Sequence, residues 1–204
     1  MPILLEFCFV LLISSAPKHW RINGVFSNMM EANLTRRIGV VYLVYFIFAI
    51  GSVLVGSLVR EGYGRTLSVW LAIVSTLIYA FLAVLFYRLF SKVGPSAASG
   101  ALFVALAGCT VQAYGIVTST AGVQHAALAF FAAFDLLLGY LIISSRYVPT
   151  PFGWILVAAA IGWLAFLVPF IAAHGGAILE ALGLLAEVAL MLWLLIHRQP
   201  VRSP

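Results

Sequence analysis

The sequence predicts an all-α fold, a polytopic bundle of membrane-spanning helices, from three observations. Of the 204 residues, 64% are hydrophobic and 8% are charged, whereas soluble domains are roughly half apolar and about a quarter charged. Apolar blocks of about 20 residues, the length at which a helix crosses roughly 30 Å of hydrocarbon, recur along most of the chain. Glycine, proline and charged residues separate these blocks. The blocks predict six transmembrane helices and leave no room for a soluble domain.

The six predicted spans follow one another with short connectors. They cover residues 38–59, 67–90, 97–118, 124–144, 151–173 and 177–197. Glycine and proline punctuate the connectors, including Gly94-Pro95 before the third span and Gly175-Gly176 before the sixth. Pro169 is expected to bend the fifth helix near its outer end. Because the connectors are short, successive helices are expected to be antiparallel neighbours.

The start of the chain differs from the rest. Residues 31–204 are expected to form a single six-helix membrane domain. Residues 1–16 are apolar but too few to span a bilayer, contain Glu6 and lack a basic leading region, so they resemble neither a span nor a signal peptide. Met29 and Met30 stand at a more natural start. Residues 1–30 are therefore interpreted as upstream of the true start or as a loose N-terminal extension.

The distribution of lysine and arginine predicts the orientation, because cytoplasmic loops collect these residues. With the N-terminus inside, seven of them fall on the cytoplasmic side and only Arg60 and Arg65 fall outside. The seven are Arg36, Arg37, Arg88, Lys92, Arg146, Arg198 and Arg202. The sequence therefore predicts a multi-pass protein of the cell (inner) membrane with both termini in the cytoplasm.

Three stretches of the sequence resemble those of one known family in their order and in the distances between them. They are Arg37-Ile38-Gly39-Val40-Val41-Tyr42-Leu43, then Gly139-Tyr140-Leu141-Ile142 followed by Ser145, Pro149 and Gly153, and finally Ala186-Glu187 with Trp193-Leu194-Leu195. In these stretches, over about residues 36–198, the chain is similar to the bacterial membrane proteins of the DUF4386 family. The resemblance implies a six-helix membrane protein of unassigned activity. Where some family members carry an arginine and a glutamate in the third span, this chain has Cys109 and Gln112, so a mechanism that needs that charge pair is in doubt here.

Six polar side chains inside or beside the apolar blocks are the candidate ligand- or proton-binding residues. They are Gln112, His125, Asp135, His174, Glu180 and Glu187. A carboxylate at the centre of a lipid-exposed helix opposes insertion by roughly 2.5 to 3.5 kcal/mol, so these groups are expected to face one another, water or a ligand. Glu180 and Glu187 share one face of the last helix, since they are seven residues apart. The six groups could form a polar path from the outer face to the membrane centre.

The functional interpretations of this path stay open at the level of sequence. One is a transporter or channel-like protein for protons, cations or a small solute, with Asp135 and Glu187 as the coordinating or proton-carrying groups. The second is a membrane-embedded enzyme or sensor for a lipid-soluble ligand. The third is a non-catalytic assembly partner in which the polar groups only fix the packing. No glycine-rich phosphate loop, zincin motif or serine elbow indicates a reaction.

The sequence predicts no cofactor and no metal site. Cys8 and Cys109 have no disulfide or metal-ligand spacing, and His125, His174 and Glu180 offer ligand chemistry without a diagnostic spacing. No basic helix or aromatic-basic platform indicates nucleic-acid binding. The predicted partner is the lipid bilayer. Stripes of small residues let helices approach closely within the bundle, and as an alternative they could hold a second copy of the chain. Those stripes are Ala101, Ala105 and Cys109, Ser52 with Gly56, and Ala158 with Gly162.

Overall fold

The computed structural model describes residues 24–59, 63–145 and 147–197. Within these ranges the chain is all-α, with six helices and no strand, which confirms the predicted class. The helices are α1 (Gly24–Leu58), α2 (Tyr63–Phe90), α3 (Pro95–Thr118), α4 (Ala121–Ser144), α5 (Thr150–Ala165) and α6 (Pro169–Ile196). Most of the predicted extension, residues 1–23, lies outside the described residues, and its interpretation stays a prediction.

Five of the six helices are long and apolar enough to cross a membrane by length and composition, so the chain is a multi-pass membrane protein. Their apolar segments are Leu34–Leu58, Tyr63–Phe90, Pro95–Thr118, Ala126–Ser144 and His174–Ile196. The remaining helix, α5, has 16 residues. At 1.5 Å per residue it is about 24 Å long, shorter than a hydrocarbon layer of roughly 30 Å.

The boundary between the last two helices differs from the sequence prediction. The fifth helix ends at Ala165, and Pro169 is the first residue of α6 instead of a bend inside α5. Proline suits this position because the first turn of a helix needs no donor from its backbone nitrogen. Gly175 and Gly176 lie inside α6 and form no connector. In hydrocarbon the backbone can satisfy its hydrogen bonds only within the helix, so a glycine pair alone does not end it.

The six helices form a closed ring in chain order. Each helix packs on the next one along the chain, and α1 also packs on α6. The ring closes where Gly39 of α1 meets α6, since a Cβ atom on Gly39 would lie 2.8 Å from the backbone nitrogen of Leu195. A residue without a side chain lets two helix backbones approach this closely. The interior of the ring is the place where polar side chains can avoid lipid.

Aromatic and aliphatic side chains fill the ring. The buried core joins residues of all six helices, including Phe46, Phe86, Phe134 and Leu190. The small-residue stripe of α3 is also buried, with Ala101, Ala105 and Cys109 at most 6% exposed, so it packs within the chain. Large apolar side chains cover the outer surface, as a lipid-facing surface requires. Examples are Val53, Phe103 and Ile178, each at least 66% exposed.

Candidate functional site

Asp135 is a carboxyl group enclosed in the apolar core. It lies on α4 and is 1% exposed, next to the buried Phe134 and one turn before the buried Leu138. Among the residues that the structure describes, its Oδ2 atom has no hydrogen-bond partner. A buried polar atom without a partner costs about 1 to 3 kcal/mol, and such exceptions in native structures call for a functional or structural reason. The packing of α4 does not by itself explain why this buried oxygen is left unpaired.

Glu187 brings a second carboxyl group to the same interior. It is half-buried on α6, and its charge acts directly on Asp135. The two helices run in the same direction, because each is separated from α5 by a short turn. Asp135 stands nine residues before Ser144 at the end of α4, and Glu187 stands nine residues before Ile196 at the end of α6. At 1.5 Å per residue both carboxyl groups lie about 14 Å from those helix ends, at matching depth.

Three tyrosines of α1 and α2 complete the site. The Tyr42 hydroxyl of α1 donates a hydrogen bond to the Glu187 carboxylate. Tyr45 of α1 and Tyr79 of α2 both lie within electrostatic range of the two carboxyl groups. The ring centroids of Tyr42 and Tyr45 are 6.0 Å apart, and those of Tyr45 and Tyr79 are 5.0 Å apart. Four helices therefore contribute to one acidic and phenolic cluster, which we call the carboxyl–tyrosine cluster.

Phenylalanine rings of α1, α2 and α4 pack against the tyrosines of this cluster. The Tyr79 ring meets Phe131 edge-on at 5.2 Å and Phe134 at 5.8 Å between centroids. The Tyr42 ring stacks on Phe46 at 5.2 Å and meets Phe86 edge-on at 6.1 Å. These rings exclude water from the carboxyl groups and lower the local dielectric, which strengthens every electrostatic interaction there.

Three of the other four predicted site residues, Gln112, His174 and Glu180, are not assembled into the cluster. Gln112 is half-buried on α3, one turn beyond Cys109, and does not bond to Asp135 Oδ2. Glu180 is exposed on the surface of α6. His174 is also exposed, and its Nδ1 lies 2.9 Å from the carbonyl oxygen of Phe170 one turn earlier. His125 belongs to α4, but its side chain lies outside what the structure describes. The described part of the chain contains no group of three or more histidine, cysteine or acidic residues that could hold a metal ion.

The three tyrosines were missed as site residues by sequence reasoning. Tyrosine is common at membrane interfaces, where its ring sits at the level of the headgroups. What distinguishes these three tyrosines from interfacial ones is their depth in the apolar segments. In the apolar segment Leu34–Leu58, Tyr42 and Tyr45 lie about 8 and 11 residues from the start, and Tyr79 lies near the middle of Tyr63–Phe90. A hydroxyl at mid-block needs an internal partner, just as a carboxyl group does.

The comparison with known proteins concerns the half of the ring that carries both carboxyl groups. No curated protein and no solved structure matches the chain. A family match begins at the end of α3 and runs through α6, so it includes Asp135, the Gly139 to Gly153 passage and Glu187, but not the run from Arg37 to Leu43. Over residues 118–197, the chain matches the family described as a domain of unknown function (DUF4386).

Proposed function

We propose that the chain is a membrane transporter or ion-handling protein that binds and releases protons or small cations at Asp135 and Glu187. The observation that carries this proposal is the unpartnered Oδ2 of Asp135, in a side chain that is 1% exposed. Ionisable side chains inside membrane helices are costly, and they mark ion or proton pathways by default. A purely structural carboxyl group would be expected to use both of its oxygens in hydrogen bonds.

The pairing of the two carboxyl groups supports reversible binding of a positive charge. Two carboxylates that share a low-dielectric site repel each other, so the doubly ionised pair is unfavourable. A proton or small cation at either group relieves that repulsion. The Tyr42 hydroxyl, which bonds Glu187, can donate to a carboxylate or accept from a protonated group. The cluster can therefore hold two states that differ by one positive charge.

We propose six spans, with α5 as the fifth, in the inner membrane and with both termini in the cytoplasm. The connections between helices are short, and an even number of spans returns the chain to its starting side. Arg36, Arg37 and Arg88 then lie on the cytoplasmic side, and Arg65 lies on the opposite side at the start of α2. Reporter fusions at the two termini test this topology, and a C-terminus outside the cytoplasm would contradict it.

The proposed function is tested by flux measurements on purified protein in liposomes. Wild type is compared with Asp135→Asn under a pH gradient and, separately, under gradients of Na⁺ and K⁺. The proposal expects flux of at least one of these ions, lost in the variant because the amide cannot bind a positive charge. Elution as a single species from size exclusion shows that the variant is folded.

Glu180→Gln is the matched control for the flux experiment. It removes a carboxyl group from the same helix, α6, but at an exposed position outside the cluster. We expect its flux to equal that of wild type. Absence of any ion flux in the wild-type protein would overturn the proposal. Lipids or small molecules that co-purify with a flux-inactive protein would instead favour a membrane-embedded enzyme or sensor.

A second copy of the chain is proposed as a partner. Many secondary transporters are built from two structural repeats, and this chain of six helices could supply one half of such an assembly. The mass of the detergent-solubilised protein, measured by light scattering with the detergent subtracted, distinguishes a dimer from a monomer.

A further inference from the structure

We propose that the species bound by the carboxyl–tyrosine cluster is a proton, which reaches Glu187 through the seam between α1 and α6 and passes from there to Asp135. This inference rests on the proposed function and deepens it, because it names the ligand and gives the two carboxyl groups different roles. The seam is the part of the contact between α1 and α6 that lies beyond Gly39, toward the C-terminal end of α1. Tyr45 lies on its α1 side and Glu187 on its α6 side.

The kind of ligand atoms favours a proton over a divalent metal cation. Hard cations such as Mg²⁺ and Ca²⁺ take their oxygen ligands from carboxylates, carbonyl groups and waters. The cluster offers two carboxyl groups and three phenol groups, and its remaining walls are aromatic rings such as Phe131 and Phe134. A proton needs one free lone pair and no coordination shell. Asp135 Oδ2 is an acceptor atom of that kind.

The exposure of the cluster differs between its two ends. Asp135, Tyr42 and Tyr79 are 1%, 2% and 5% exposed, whereas Tyr45 and Glu187 are partly exposed. The two accessible residues come from α1 and α6, the helices that close the ring. A proton that enters along the seam between these two helices therefore meets Glu187 first, and Asp135 lies behind it.

The transfer between the two carboxyl groups conserves charge within the cluster. Glu187 takes up a proton and becomes a neutral acid. When the proton leaves Glu187 and bonds to Oδ2 of Asp135, Glu187 returns to a carboxylate and Asp135 becomes the neutral acid. Tyr42 acts as a positioning residue, because its hydroxyl bonds Glu187 at the seam.

The titratable groups around Glu187 are few. Those that face it are Tyr42 and Tyr45 from α1, Tyr79 from α2 and Asp135 from α4. The sequence of α5, which also packs against α6, contains no titratable side chain. On α6 itself the nearest titratable residues within the described range are seven or more positions away. Among these groups, Asp135 is the acidic neighbour of Glu187.

The experiment uses dicyclohexylcarbodiimide, a membrane-soluble reagent that attacks protonated carboxyl groups. Full-length protein carrying Glu180→Gln is labelled in liposomes over a range of pH, and the modified residue is identified by peptide mass spectrometry. We expect the label on Glu187 and little or none on Asp135. The labelling rate should fall as pH rises, and added Na⁺ or K⁺ at constant pH should give no protection. Glu187→Gln in the same background should lose the label.

The variant Asp135→Asn separates the proposed role from a structural one. The amide cannot accept a proton from Glu187, so the label should stay on Glu187 while proton flux in liposomes is lost. Loss of the label in this variant would show that Asp135 only holds the structure of the cluster, and unchanged proton flux would contradict transfer to Asp135. Label on Asp135 at the rate of Glu187 would overturn the access route, and protection by Na⁺ or K⁺ would overturn the choice of a proton.

The failure of this inference can be told apart from the failure of the proposed function. If Glu187 is labelled as expected but no ion flux occurs, the proton site stands and the transport function falls. If proton flux occurs but Glu187 is not labelled, the transport function stands and the route through Glu187 falls. The protein that carries only Glu180→Gln shows which of the two carboxyl groups the reagent reaches. This result holds even where a further variant fails to fold.

Discussion

A Cβ atom on Gly139 would lie 2.8 Å from the carbonyl oxygen of Gly153, and a Cβ atom on Gly153 would lie 2.8 Å from the carbonyl oxygen of Gly139. The two glycines therefore mark the point of closest approach between α4 and α5. Backbone atoms cannot move aside as a flexible side chain can, so this contact depends on glycine at both positions. It lies four residues beyond Asp135 along α4, and it fixes the helix that carries that carboxyl group.

Replacing Gly139 by alanine is expected to destabilise the protein. The new methyl group would force α4 and α5 apart, at a cost of about 1 to 3 kcal/mol for overpacking. The thermal midpoint of unfolding in detergent, followed by tryptophan fluorescence, measures the effect. Gly162→Ala on α5 is the matched control, because its Cβ would meet the nearest atom, of Leu179, at an ordinary 3.5 Å. Equal midpoints for the two variants would contradict the close approach.

A disulfide between α1 and α2 is expected in the double variant Gly56→Cys, Ser68→Cys. A Cβ atom on Gly56 would lie 3.6 Å from the Cβ of Ser68, and disulfides span about 3.5 to 4.5 Å between Cβ atoms. The background carries alanine at Cys8 and Cys109. Loss of reactivity toward a maleimide reagent after mild oxidation, restored by reduction, measures the bond.

The control for this cross-link is Gly51→Cys with Ser68→Cys. The nearest atom to a Cβ on Gly51 belongs to Leu71, at 3.9 Å, so Ser68 lies farther away than it does from Gly56 and this pair should oxidise less readily. Oxidation of both pairs to the same extent would show that the register of α1 on α2 differs from that in the structure.

The sequence allowed the fold class and the two carboxyl groups of the cluster to be predicted for one physical reason. Hydrocarbon tolerates charged residues so poorly that Asp135 and Glu187 are conspicuous in their apolar blocks. The same reasoning could not rank Glu180, which has the same chemistry and lies on the same helix. Its exposure depends on which face of α6 meets a neighbour, and that follows from the packing of the whole ring.

The end of α5 could not be placed from the sequence because two signals competed. Pro169 can bend a helix in its interior or begin a helix at its first position, and Gly175-Gly176 offered a second plausible break. The sequence prediction chose the glycines, whereas the structure begins α6 at Pro169. The choice depends on where the chain turns back onto α5, with Trp163 packed against Gly183, and this contact is not local in sequence.

Substitutions of Asp135 are expected to remove function without lowering stability. The side chain has an unpartnered Oδ2, so Asp135→Leu removes a penalty of about 1 to 3 kcal/mol for a buried unsatisfied group. We expect its thermal midpoint to equal or exceed that of wild type, while ion flux in liposomes is lost. A large fall in the midpoint would instead show that the carboxyl group stabilises the fold, as the packing interpretation requires.

Replacing Tyr42 by phenylalanine is expected to destabilise the protein only because it removes the hydrogen bond to Glu187. The variant keeps the ring that stacks on Phe46 but loses the hydroxyl that bonds the carboxylate, and a hydrogen bond to a charged group contributes about 1.5 to 3 kcal/mol. Tyr45→Phe, on the same helix, is the control and should have a smaller effect. In a Glu187→Gln background the effect of Tyr42→Phe should shrink, because interacting residues are not additive. A loss of the same size in both backgrounds would show that the Tyr42 hydroxyl stabilises the bundle through some other group.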